Sequence, residues 1–520
     1  MKWRYTAAWL LVAAGALALR LPQLDRRPLH TDESVHTIKF RGLWDQGVYR
    51  YDPQEYHGPS LYYFTLPSAW LSGARSFADT SEATYRIVPV LFGLGLILLL
   101  PLLRDGLGTG ATLAAGVLTA ISPALLFFSR YYIHETLLVF FSLMLLAAVW
   151  RAIQSGGLGW CLLAGAALGM MHATKETFVL VLAAAAGAAG LNHAWGRWGG
   201  RRSPGAQRTV RFWHLVAGLA VALLVSLTLF SSFFTNASGP VDSLRTYVTW
   251  FNRAQGNNPH AHPWHYYLGL LTWFHVGNGP VWTEALTLSL ALVGLFAGLT
   301  RSGLADGQAG FVRFVGFYTL LLTAIYSVIP YKTPWCLLGF LHGYILLAGV
   351  GVATLLHWAK TRTDRFALAL ILCAGTAHLG FQAWRASYPY SDSQRNPYVY
   401  SHTLSHLLEL VDTVEALARR HPAGHNLPVR VLTRGGDSWP LPWYLRRFRV
   451  VEFDPTPTLD PRFQVVIVSP AYAPLAQEQL GKTHEAGGTF GLRPGPNGFL
   501  ELFVEKTLWQ SYVNSPRRTE

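Results

Sequence analysis

The sequence predicts an α-helical polytopic membrane protein of about eleven transmembrane helices, with a small α/β domain at its C-terminal end. Three observations carry that expectation. Of the 520 residues, 51% are hydrophobic and only 13% are charged, too apolar and too sparsely charged for an ordinary soluble protein. Apolar runs recur through the first 385 residues, most of them close to the ~20 residues a helix needs to cross a bilayer. Beyond residue 385 the hydrophobicity drops, and short β-branched runs punctuated by Gly and Pro take over.

The spans are expected at 5–21, 86–103, 110–128, 136–152, 157–172, 176–191, 212–233, 281–300, 312–329, 335–357 and 366–384. The stretch WHYYLGLLTWFHVG, 264–277, is too short and too rich in His, Trp and Tyr for a twelfth, and reads as an interfacial or re-entrant helix. Orientation follows from charge. With Lys2 and Arg4 holding the N-terminus inside, the connection NHAWGRWGGRRSPGAQRTVR falls inside as well, with Arg197, Arg201, Arg202, Arg208 and Arg211 and no acid, as the positive-inside rule requires. The connections near Arg104, Arg151, Arg301 and Lys360 to Arg365 fall on the same side. Outside lie 22–85, 129–135, 234–280, 330–334 and the tail. The expectation is a multi-pass protein of the cytoplasmic (inner) membrane with its C-terminal domain outside. The first span also has signal-peptide features, a basic start and ALA at 16–18; cleavage there would leave this topology unchanged.

Two domains follow: 1–385, membrane-embedded with outer loops 22–85 and 234–280, and 386–520, a soluble extracytoplasmic α/β domain. In the tail, SHTLSHLLELVDTVEALARR places Leu404, Leu407, Leu408, Val411, Val414 and Leu417 on one helical face. PVRVLTR, FRVVEF and FQVVIVSP read as strands, and GFLELFVEK as an edge strand. The net charge of +14 is the arginine excess of cytoplasmic loops and not a nucleic-acid footprint. Cys161, Cys336 and Cys373 all sit in apolar segments, at spacings unlike a zinc site or disulfide framework, which argues against redox chemistry.

The outside segments hold the candidate chemistry. LHTDESVHTIKF places Asp32 and Glu33 side by side between His30 and His36. A carboxylate at the outer end of a helix suits a general base or a metal ligand, although TDES before VHTIKF also fits a helix cap at Thr31 or Asp32. YHGPSLYYF has a Gly-Pro turn leading into an aromatic run that folds back on the bilayer surface, with His57 as a ligand or a turn residue. SRYYIHET forces Arg130, His134 and Glu135 into one short loop; the arginine suits a phosphate and Glu135 a divalent cation. MHATKET places Lys175 and Glu176 at membrane depth, where ionisable residues are costly and usually functional. IPYKTPWC fixes Lys332 between two prolines, and NNPHAHPWHYY gathers His260, His262 and His265 in a Pro-broken loop that reads as interfacial. An acid pair, a metal-capable Glu, an Arg and two lysines on one face suit a donor whose leaving group is a phosphate on a polyprenyl chain.

The ordered blocks HTDESVHT, YHGPSLYY, SRYYIHET, ATKET, IPYKTPW and DSWPLPWYLR resemble the C-type (GT-C) membrane glycosyltransferases, the superfamily of protein O-mannosyltransferases and lipid A aminoarabinose transferases. They look closest to the glycosyltransferase-like membrane proteins described as flippase-activity-associated. The resemblance implies that Asp32 is the catalytic base, with Glu33 beside it. It implies that Arg130 and Glu135 lie near the donor phosphate and a divalent metal (Mg, Mn or Zn); His57, from the reading of its own loop, is a further candidate metal ligand. Lys175 matches a Lys-Gly element in which Glu176 here replaces the Gly, and Lys332 matches a later Ser-Lys-Leu-Pro-like element, both toward the donor phosphate. It also implies a polyprenyl-phosphate sugar as donor, in agreement with the lack of a nucleotide-binding Gly-rich loop and hence of a nucleotide cofactor. The expected activity is inverting transfer of a hexosyl or pentosyl group, with membrane lipid as surroundings and a lipid, protein or polysaccharide as acceptor. In the tail, Asp437, Trp439, Trp443 and Tyr444 are candidates for acceptor binding, with packing of the two tryptophans against the membrane bundle as the alternative. The rivals are a lipid-linked sugar flippase and a non-catalytic component of envelope assembly.

Overall fold

The structure, a computed structural model, describes residues 2–54, 57–198, 209–255, 260–305, 307–453, 456–495 and 498–514. Arg201, Arg202 and Arg208 of the basic connection, and Tyr56 ahead of His57, lie outside the described residues. Each expected span is helical. Seven helices are long and apolar enough to cross a membrane: Glu82–Leu107, Glu135–Ser155, Phe178–Arg197, Phe212–Phe230, Gln308–Val328, Pro334–Trp358 and Arg362–Ser387.

The remaining four differ from the expectation for physical reasons. The run at 110–128 is two helices, Thr109–Ile121 and Pro123–Phe128, because Pro123 cannot continue the ladder and Ser122 caps the second helix instead. Leu158–His172 and Ala285–Thr300 are apolar but short; at 1.5 Å per residue the latter reaches only about 24 Å. Ala285–Thr300 survives by packing tightly on Pro334–Trp358: a Cβ on Gly294 would meet Leu347 O at 2.0 Å, and one on Gly351 would meet Leu290 O at 2.0 Å. Small residues let the two backbones touch. The N-terminal helix Lys2–Arg20 has 19 residues and carries Lys2, Arg4 and Arg20. The stretch at 264–277 forms the seven-residue helix Tyr266–Thr272, after which Phe274 bridges to Trp282.

The tail forms a five-stranded sheet of β1 (Val429–Leu432), β2 (Val451–Phe453), β3 (Val465–Val468), β4 (His484–Gly491) and β5 (Phe499–Glu505), in the order β2-β1-β3-β5-β4. The first three strands are mutually parallel and the last two pairings are antiparallel. The expected edge strand, within GFLELFVEK, is therefore interior: Leu500, Leu502, Phe503 and Val504 are buried, and β4 covers it on the outside. The sequence of β4, HEAGGTFG, lacks the alternation and β-branching that announce a strand, and its register shifts between Ala486 and Gly488.

This tail is not a free-standing appendage. Trp443, 0% exposed, meets Phe77 and Tyr85 edge-to-face at 5.5 and 5.2 Å. Leu29 N donates to Tyr444 Oη (2.9 Å), and Arg446 donates to Thr80 O (2.6 Å). Sheet domain and first loop thus share one core, which roofs the end of the bundle where the conspicuous motifs gather. At other connections, Arg151 pairs with Asp105 (2.6 Å) and Trp358 donates to Ser302 (3.0 Å).

Candidate active site

The helix Thr31–Gln46 separates the two adjacent acids. His30 is its cap: Nδ1 accepts from Asp32 N (3.0 Å), and Glu33 Oε2 accepts in return from His30 N (3.0 Å), a capping box one residue ahead of the expected Thr31. Neighbours on a helix diverge by about 100°, so one carboxylate turns inward and the other outward. Glu33 is 0% exposed; Arg86 grips it through Nε (2.8 Å) and Nη2 (2.7 Å), Tyr132 N donates to it (2.9 Å), and Arg27 stands at 3.6 Å. Burial alone would raise its pKa, but Arg86 and Arg27 hold it well below the usual carboxylate range. Asp32 keeps a side chain 43% exposed, with His30 Nδ1 at 3.9 Å.

Glu33, expected beside the base, is thus placed as a structural anion. Removing one partner of a buried pair costs about 3–5 kcal/mol. Glu33→Ala is expected to destabilise the purified protein on that scale and so to lower its thermal midpoint, whereas Asp32→Ala should barely move it. Equal midpoints for Glu33→Ala and wild type would remove the structural role.

The floor of the cleft is the loop of ATKET, held by the GPS turn. Gly58 N donates to Thr174 O (3.1 Å), Ser60 N to Ala173 O (2.9 Å), and the Ser60 and Thr174 hydroxyls meet at 2.8 Å. A Cβ on Gly58 would strike Ala173 O at 2.3 Å, so this approach requires glycine. His134 Nε2 completes the clamp on Gly58 O (3.0 Å). The loop presents a buried Lys175, ion-paired with Glu135, into a narrow cavity lined also by Thr177, Tyr326, Trp335 and Cys336. Burial works against the ammonium, but Glu135 more than compensates and its pKa is raised. The next residue, Glu176, takes His57 Nδ1 (2.8 Å) and the Tyr51 hydroxyl (3.1 Å). The two expected metal ligands, Glu135 and His57, are therefore committed to different partners, Lys175 and Glu176. Among the described residues no group of three or more His, Cys, Asp or Glu is placed to hold a metal ion, so the side chains present do not fit the expected cation site.

Two side chains connect Asp32 to Lys175. His36, hydrogen-bonded to the Tyr62 hydroxyl (2.9 Å), is pushed down to about 3 by burial and by His57; Asp32 opposes that fall and Lys175 adds to it. Tyr331 is pushed up to about 12 by burial and then by Asp32, with Lys175 opposing. Asp32 and Lys175 thus both bear electrostatically on His36 and Tyr331, although Asp32 does not line the cavity at Lys175. Burial likewise lowers His30, His134 and His402. Next to Asp32, Arg493 donates to Thr31 Oγ1 (2.9 Å), Asp437 Oδ1 (2.9 Å) and Trp439 O (3.1 Å). Nothing in GLRPG marks this arginine in the sequence.

Other expected residues are held elsewhere. Arg130 donates to Arg20 O (2.7 Å), Gln23 O (3.3 Å) and the Tyr388 hydroxyl (3.0 Å), and stacks on that tyrosine. It closes the C-terminal end of the first helix instead of facing the cleft, and burial lowers it to about 10. Lys332 Nζ donates to the carbonyls of His262 (3.1 Å) and Ile329, beside the Ala261–Tyr331 bridge; it fastens the 260–262 loop and thereby positions Tyr331. Trp443 and Tyr444 are buried within the roof; of the tail's acceptor candidates Trp439 is partly open, and Asp437, though paired with Arg493, keeps a side chain 49% exposed.

Residues 58–238 match the family model described as dolichyl-phosphate-mannose-protein mannosyltransferase. The crystal structure of ArnT from Cupriavidus metallidurans in the apo state matches with a TM-score of 0.60 at 16% identity, over 97% of this chain and 99% of that one. The same protein bound to undecaprenyl phosphate matches at 0.62 and 16%, over 96% and 98%. The Archaeoglobus fulgidus oligosaccharyltransferase in the apo form matches at 0.54 and 12%, over 98% of this chain and 77% of that one. No curated protein matches the sequence. At these identities the structural likeness establishes the fold, and it is the GT-C fold that the sequence blocks resemble.

Proposed function

From a GT-C fold with an accessible carboxylate and a buried ammonium that bear on the same two side chains, we propose that this protein is a membrane glycosyltransferase that moves a sugar from a polyprenyl-phosphate donor to an acceptor hydroxyl, with Asp32 and Lys175 facing one substrate cleft. The observation that carries this reading is the division of labour between the acids: Glu33 is spent on Arg86, whereas Asp32 stays open to a substrate in the cleft that Lys175 floors. Asp32 takes the acceptor proton as the hydroxyl oxygen attacks the anomeric carbon. The bond to the lipid phosphate breaks, and Lys175, oriented by Glu135 until the donor arrives, meets the charge that develops on the departing phosphate. Arg130, engaged with backbone carbonyls, has no part in this scheme. The undecaprenyl phosphate bound to ArnT supports the lipid class of the donor.

A single displacement inverts the anomeric configuration. The topology in which the arginine-rich connections face the cytoplasm puts the N-terminus inside, and the cleft and its roof on the outer face of the inner membrane. The test is an assay of membranes with labelled polyprenyl-phosphate sugars. The expected result is label on an acceptor with inverted configuration; donor that crosses the bilayer intact, with no transfer, would replace the enzyme by a transporter.

A further inference from the structure

The helix Gly239–Gln255 follows the spanning helix Phe212–Phe230 and packs against Pro53 and His57 of the first outer loop. Placed at about 100° per residue, its side chains fall into three sectors. Ser243 and Thr246 are buried, with Thr246 donating to Pro53 O (3.0 Å), and Trp250 on the same side stacks on His57 (4.9 Å, 17°). Val241, Leu244, Val248 and Phe251 form a second sector and are all at least half exposed. Asp242, Arg245 and Asn252 make the third, with Arg245 exposed and paired to Asp242 (3.1 Å).

A helix on a water-facing surface needs two sectors, one toward the core and one toward solvent. A third, large and apolar, requires a second medium. Its nature is given by continuity: the lipid-facing side of the preceding span exposes Leu219, Leu223 and Leu227, and the link between the two helices exposes Phe233 and Phe234. Trp264 and Trp273, exposed on the neighbouring loop, are of the type that settles at the headgroup level. We propose that Gly239–Gln255 lies in the bilayer interface beside the first outer loop, its apolar stripe among acyl chains and Arg245 toward water, so that it forms the lipid-facing wall of that loop. Its inner face holds His57 against Glu176, and lipid on the outer face holds the helix in place. The proposal concerns the surface alone and does not depend on the transferase reading.

The experiment uses full-length protein in nanodiscs of phosphatidylethanolamine and phosphatidylglycerol, with Cys161, Cys336 and Cys373 replaced by alanine. An environment-sensitive fluorophore is attached to Val248→Cys or to Arg245→Cys. The expected result is a blue-shifted label at position 248 that lipids with nitroxide on shallow acyl carbons quench several-fold more than the label at 245, together with stronger iodide quenching at 245. Equal iodide quenching at both positions without lipid quenching would leave the stripe in water, free for a protein partner, and overturn the proposal. Equal lipid quenching at both would bury the helix in hydrocarbon and overturn it too.

Discussion

Asp32→Asn is expected to cut sugar transfer by about 10²–10⁴-fold, the range that a positioned general base supplies. Asparagine keeps the size of the side chain and cannot take a proton. Because Asp32 stands outside the network of Glu33, Arg86 and Arg27, the variant should keep the wild-type thermal midpoint and still bind the donor. Initial rates at saturating donor and acceptor, with matched amounts of folded protein, make the comparison. A variant as fast as wild type would take the base role away from Asp32. A variant that is slow only because it unfolds would show it in the midpoint.

Lys175→Met carries the second large effect. Loss of one group that stabilises developing charge lowers kcat by about 10²–10³-fold, and the departing lipid phosphate would lose the ammonium beneath it. The substitution also strands Glu135, whose ion-pair partner is that ammonium, and a buried charge left alone is destabilising by about 3–5 kcal/mol. The double variant Lys175→Met/Glu135→Gln separates the two consequences. It should recover most of the stability and none of the transfer. Recovery of transfer along with stability would make the pair a structural strut and return the phosphate to another cation.

The fold was legible wherever one local pattern decides the outcome. Apolar runs of membrane length became helices, and β-branched runs such as VRVL and VVIV became the buried strands β1 and β3. What stayed hidden depends on partners distant in the chain. Asp32 and Glu33 are equivalent neighbours until Arg86, 53 residues away, claims one of them. Arg130 reads as a phosphate ligand because nothing in SRYYIHET reveals the carbonyls of Arg20 and Gln23, about 110 residues earlier. Trp443 looks like a sugar platform until Phe77 and Tyr85 close over it. Arg493 and β4 sit in Gly-rich sequence with no periodicity to read, and Arg493 gains its meaning only through Thr31 and Asp437. Gly58 is the converse case. The GP turn was visible, but its reason, a backbone approach to Ala173, belongs to the tertiary fold.

The most direct measurement follows the donor lipid by mass spectrometry as purified wild-type protein and Asp32→Asn are each incubated with polyprenyl-phosphate hexoses and pentoses and an envelope extract as acceptor. The account predicts that wild type converts one such donor to free polyprenyl phosphate while its sugar appears on the acceptor, and that Asp32→Asn leaves the donor intact. Equal conversion by both proteins, or intact donor with both, would contradict it.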